Sequence, residues 1–211
     1  FYGKFLRAVD ARREANAQFL QADKILPDRA MIQDQLGLYA AEEGDFREAW
    51  RLLGRAVELE PKTAVYQYHL GEFLATYREH LVREKLLRTG EADWKMLRAF
   101  QRASELAPEE AGYLWRWGES FFDCASPDWE RALAVWNRIA AKAGTPLEKE
   151  VTALYRARVL IRLGQLAAAE EIVANSRTPQ LENSRKKLRE ELDAASVEKR
   201  GAEEKSAAVR P

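Results

Sequence analysis

Apolar residues return at every third or fourth position along nearly the whole chain, and the strict alternation typical of strands is absent. That period belongs to helices with one buried face. Residues 36–61, LGLYAAEEGDFREAWRLLGRAVELEP, show the unit: an amphipathic run, a hinge at Gly44-Asp45, a second amphipathic run, and a proline that stops it. The pattern predicts an all-α chain built from helix pairs.

Sliding the chain against itself exposes a period. Gly3, Gly37 and Gly71 are spaced by 34, as are Ala15 and Ala49, Ala22 and Ala56, and Pro27 and Pro61. The next copy is displaced but intact. Ala103, Pro108 and Gly118 lie 47 after Ala56, Pro61 and Gly71, which places an insertion of 13 residues near 78–90. A looser copy follows, with Ala157 and Leu160 in its first helix, Gly164 at its turn and Leu166, Ala169 and Val173 in its second. Glycine inside a helix costs roughly 1 kcal/mol against alanine. Its recurrence calls for a compensating gain, which close approach of the two helices of one unit supplies. Each pair buries one face alone, so neighbouring pairs must stack. Pro27, Pro61 and Pro108 end the second helices, because proline lacks the amide donor and disfavours helix in the residue before it.

These residues, clearest in Leu36, Gly37, Gly44, Phe46, Ala49, Leu53, Ala56 and Pro61, resemble the tetratricopeptide repeat. The resemblance covers residues 1–177 and implies a right-handed α-α superhelix, with units at about 1–29, 30–63, 64–110, 111–147 and 148–177. Two departures stand out: Gln33 and Gln67 occupy places where the family often has tryptophan, and the last unit lacks its terminal proline. Leu181, Leu188, Leu192 and Ala195 share one narrow face amid many charges, so 178–199 is expected to be a capping helix and 200–211 a disordered tail. The insertion keeps helical spacing through Leu81, Lys85 and Leu86. A straight helix to Arg88 would overshoot by about 16 Å, so a bend near His80 is expected in preference to two lengthened helices.

Composition changes the picture only by exclusion. The 34 basic residues balance 34 acidic ones, so no net field draws nucleic acid or an anionic membrane. A 46% apolar content suffices for a core, and no run approaches the roughly 18 apolar residues of a membrane span. The single cysteine, Cys124, forbids an internal disulfide without fixing a compartment. The chain opens on Phe1-Tyr2-Gly3 with no initiator methionine and no leader, and reads as part of a longer or processed protein.

In arrays of the resembling kind, first helices line a concave groove. Carried over on the glycine register, the groove positions are Asp34, Leu38, Tyr68, Glu72, Trp115, Glu119, Phe122, Arg158 and Arg162, with Arg116 beside them. Tyrosine, tryptophan and arginine are the residues best suited to anchor a partner. The family's clamp for a C-terminal carboxylate uses lysine, asparagine and arginine, whereas Asp34, Leu38 and Glu72 stand at those places here; a basic or mixed extended segment of protein is the expected partner. His69 and His80 are the only histidines, and no metal-ligand spacing, cofactor motif or phosphate loop is present, so no catalysis, metal or cofactor is expected. A purely structural or self-associating role is the alternative, with Trp50, Trp94 and Trp136 confined to cores and seams. Single-stranded RNA binding, known for helical repeats of similar period, is the less favoured one.

Overall fold

The computed structural model describes residues 11–208, with side chains described to Gly201; Gly3, the start of the first expected unit, lies outside these residues. Ten α-helices and two one-turn 3-10 helices are described, and no strand is found among these residues. They fall into two compact units, one up to Ser126 and one from Pro127.

The first unit holds α1 (Arg12–Ile25), α2 (Ala30–Glu42), α3 (Phe46–Leu59), α4 (Ala64–Arg83), α5 (Thr89–Leu106), α6 (Ala111–Ser120) and the 3-10 turn Phe121–Asp123. Consecutive helices pack in turn, and the first helices α2 and α4 also touch. The periodic residues now acquire physical roles. A side chain placed on Gly37 would put its Cβ 2.8 Å from Leu53 Cγ, and one on Gly71 would meet the Phe100 ring at 2.7 Å. Both are closer than real carbon contacts, so absence of a side chain is what lets each second helix press its large residue onto the first. Ala49, Ala56 and Ala103 are fully buried, as are Leu53 and Phe100.

The prolines act through the residue ahead of them. Leu26, Glu60 and Ala107 end α1, α3 and α5 with almost the same dihedrals, φ −132, −133 and −134° with ψ 72, 73 and 73°. Their amides still donate to Ala22, Ala56 and Ala103 at 2.8, 3.1 and 3.1 Å. Extended backbone before proline thus terminates each helix while its last hydrogen bond survives.

The insertion corrects one expectation. Instead of bending near His80, α4 runs on to Arg83, seven residues beyond the end that the register of α2 sets, and α5 begins four residues early at Thr89. Seven residues are close to two full turns, so the buried stripe simply repeats, with Leu74 and Leu81 both fully buried. At 1.5 Å per residue the added lengths are about 10 and 6 Å, and the five residues between the helices close the remaining gap. The turn is a Schellman motif: Lys85 takes φ 58°, its amide donates to Val82 at 3.0 Å, and the Leu86 amide donates to Leu81 at 2.9 Å. Gly44 and Gly164 make the same motif at φ 84 and 71°.

The second unit holds α7 (Trp129–Lys142), α8 (Pro146–Arg162), α9 (Leu166–Asn175), the 3-10 turn Pro179–Leu181 and α10 (Glu182–Ala208). Asp128 caps α7 by accepting the Arg131 amide, and Thr145, Pro146 and Glu148 open α8 with a capping box and a proline in its first turn. Trp136 is fully buried and stacks on Tyr155, centroids 4.2 Å apart and 8° between planes. Leu188 and Leu192 of α10 join Leu154, Leu160, Ala169 and Val173 in one core. Helix continues to Ala208, beyond the boundary at 199 and into residues expected to be a disordered tail.

Candidate functional site

The groove positions separate by unit. In the first, Tyr68 and Glu72 lie one turn apart on α4, and Trp115, Arg116 and Glu119 lie on α6. The Tyr68 ring packs against Tyr113 at 4.7 Å and edge-on against Phe100 at 5.8 Å. Over Phe100 sits the Arg116 guanidinium, 4.8 Å from the ring centroid. Its Nε donates to Glu72 Oε1 at 2.7 Å and one terminal nitrogen donates to Asp123 Oδ2 at 3.3 Å. Phe100, held down by the gap at Gly71, is the floor on which this cluster is assembled.

The electrostatics follow from that packing. Burial pushes the Tyr68 phenol up, and the charge of Glu72 adds to it; Tyr113 is raised by burial and by Glu110. Burial of Arg116 works against its charge, but Glu72 and Asp123 outweigh it, so the guanidinium is held more firmly charged than usual. Trp115, Glu119 and Phe122 are half-buried on the same stretch, as is Leu38 on α2.

Asp34 departs from the groove expectation. It is only 2% exposed, with Oδ1 2.8 Å from His69 Nδ1 and Oδ2 accepting from Gln35 at 3.0 Å. Its carboxylate ties α2 to α4 and is not presented to solvent. In the second unit Arg158 and Arg162, one turn apart on α8, both approach Glu191 of α10, at 3.7 and 3.6 Å. An open cleft of about 250 Å³ lies between these two helices, walled by Leu154, Tyr155, Arg158, Lys187 and Glu191.

Sequence reasoning missed Tyr113 and Asp123, and read Phe100 only as a packing residue of the repeat. Asp123 was findable, since it follows Arg116 by seven residues, about two turns. Tyr113 lies 47 after Tyr66, the same spacing that relates Gly118 to Gly71. Cys124 is a partly buried packing residue: burial, with Asp93 nearby, pushes its thiol up to about 12, and its Sγ donates to the Ser120 carbonyl at 3.4 Å. No group of three or more metal-ligating side chains, and no helix long and apolar enough to cross a membrane, occurs among the described residues.

No protein-family model matches this sequence, and no curated protein matches it. Solved structures do. YrrB, described as a TPR protein with an unusual peptide-binding site, is similar at a TM-score of 0.63 and 14% identity, over 94% of this chain and 89% of its own. MamA is similar at 0.59 and 14%, over 95% and 98%. The Naa15/Naa10 complex bound to HypK-THB is similar at 0.60 and 16%, over 97% of this chain but 30% of that one. With its all-α helix pairs, its glycine and proline register and these likenesses, the chain has the tetratricopeptide-repeat fold.

Proposed function

We propose that the chain is a non-catalytic scaffold that binds protein or extended peptide along the first-helix face of its first unit. The observation that carries this reading is the cluster of Tyr68, Tyr113, Arg116 and Glu72 on the Phe100 floor, which joins α4 to α6 in one half-buried surface. Such a surface offers large contact area with fixed polar handles and little side-chain freedom left to lose on binding. Glu72, Glu119 and Asp123 outnumber Arg116 there, which favours a basic or mixed segment. The likeness to YrrB, a protein described by its peptide-binding site, supports the reading at the level of fold.

Selection from a library of displayed extended peptides tests it, with wild type and a Tyr68→Ala/Trp115→Ala variant immobilised side by side and both checked by circular dichroism. Basic or mixed peptides are expected on the wild type, with about tenfold or more weakening on the variant. Equal retention on both removes this face from consideration.

A further inference from the structure

The second helices of the first unit carry a surface that the first-helix site does not use. Trp94 of α5 is 53% exposed, against the alternative expectation that confined it with Trp50 and Trp136 to cores and seams. Arg98, one turn later, holds its guanidinium 5.1 Å from the Trp94 ring centroid. Lys95 Nζ lies 6.0 Å from the same ring and 5.5 Å from that of Trp50 on α3. Two indoles from neighbouring second helices therefore flank one ammonium group, with a guanidinium beside them. Trp50 and Lys95 are half-buried, Arg98 is exposed, and no carboxylate pairs with Arg98 among the described residues.

Charge divides the unit in the same sense. Among first helices, α2 carries Asp34 and Glu42 with no cation, while α4 and α6 are balanced; among second helices, α1 and α3 each carry one excess cation and α5 is balanced. With Asp34 buried against His69, the first-helix side is close to neutral at its surface, while the second-helix side keeps a modest excess of cations. The buried position of Asp93 leaves the solvent side of α5 more basic still.

We propose that the Trp50-Trp94-Lys95-Arg98 surface is a second docking site, for an acidic amphipathic segment of another protein. Carboxylates of the partner meet Lys95 and Arg98, and an apolar side chain covers Trp94. Each cation is already positioned by an indole, so little side-chain freedom is left to lose on pairing. A nucleic acid fits less well. Glu91 stands 3.7 Å from Lys95, and Arg51, Arg55 and Arg102 are occupied by Glu48, Glu58 and Glu105. Carboxylates recurring at each turn repel a continuous phosphate backbone but leave room for discrete acidic side chains.

The probe is a fluorescein-labelled helical peptide with leucine at i and i+4 and glutamate elsewhere; its control carries lysine in place of glutamate. Anisotropy titrations use the full chain, with Trp94→Ala, Arg98→Glu and Tyr68→Ala/Trp115→Ala variants matched by circular dichroism. The expected result is binding of the glutamate peptide over the lysine peptide, weakened about tenfold by Trp94→Ala and by Arg98→Glu and unchanged by Tyr68→Ala/Trp115→Ala. Failure of the wild type to bind the glutamate peptide, equal binding of both peptides, or loss in the Tyr68 and Trp115 variant in place of the Trp94 variant each overturns the proposal. So does Trp94-dependent binding of single-stranded RNA or phosphatidylserine vesicles without binding of the peptide. None of these results bears on the selection of basic peptides by the first-helix face, which stands or falls separately.

Discussion

In the first unit Gly71 leaves room for Phe100 to lie against the α4 backbone, whereas in the second Glu150 ties the chain after α9 back onto α8. The first seam is dry and made by a missing side chain. The second is polar and made by one carboxylate. Glu150 Oε1 accepts from the amides of Arg177 and Thr178 at 2.6 and 2.8 Å, and both its oxygens take up the hydroxyls of Ser176 and Thr178. Arg185 of α10, almost fully buried, completes the knot by donating to the Thr178 carbonyl at 2.6 Å and to Glu182. Interior seams recur, and the same solution serves at Gly37 and at Gly71. A terminal seam has no following repeat to imitate, and is built from whatever the last turn supplies.

The largest expected effect falls on the dry seam. Gly71→Val drives methyl groups into the Phe100 ring and should cost about 3 kcal/mol in urea unfolding. Phe100→Leu, costly on its own, should lose less when Gly71→Ala fills the space it vacates, with a coupling of about 1 kcal/mol in the double-mutant cycle. Additive losses would mean that Gly71 and Phe100 do not share one space.

Next comes the polar seam. Glu150→Gln removes the charge from four hydrogen bonds and should cost about 2 kcal/mol, seen as faster hydrogen exchange in α10 with α2 to α5 unaffected. Uniform acceleration along the chain would refute a local clamp.

The pH response sharpens the same contrast. Hydrogen bonds from Ser176 and Thr178 lower the Glu150 pKa from 4.5 to about 2. Folding therefore favours its ionised form: the stabilisation is complete above pH 4.5 and is lost as pH falls through 2. Protection of α10 amides should decline across that window in wild type and stay flat in Glu150→Gln. The close contacts of Gly37 with Leu53 and of Gly71 with Phe100 are between carbon atoms and should not follow it.

The smallest effect concerns the lengthened turn. Lys85 sits at φ 58° where Gly44 and Gly164 serve elsewhere. Lys85→Gly should raise stability by up to about 1 kcal/mol, measured as a higher unfolding midpoint.

Much of the scaffold was legible because its causes are local or periodic. Pro27, Pro61 and Pro108 fix the residue before them wherever they occur, and Asp45, Asp128 and Thr145 cap helices through amides three residues on. The bend expected at His80 failed because spacing within one helix cannot report how 13 residues divide between two helices and a turn. Site residues were legible as positions and not as partners. Asp34 depends on His69, 35 residues away, and Arg158 and Arg162 on Glu191 of the terminal helix.

The sequence by itself determined the helical period, the repeat, the helix ends and the places where a side chain must be missing, since these follow from backbone sterics and from one face of each helix being apolar. Tertiary structure alone decided which charged residues meet each other and which meet solvent. Asp34 became an internal tie, Arg116 was laid on an aromatic floor, and Trp94 was left outside with two cations. Charge carries no period: a carboxylate or a guanidinium reads the same along the chain whether its partner lies one turn away or across the next helix, and only packing brings that partner within reach.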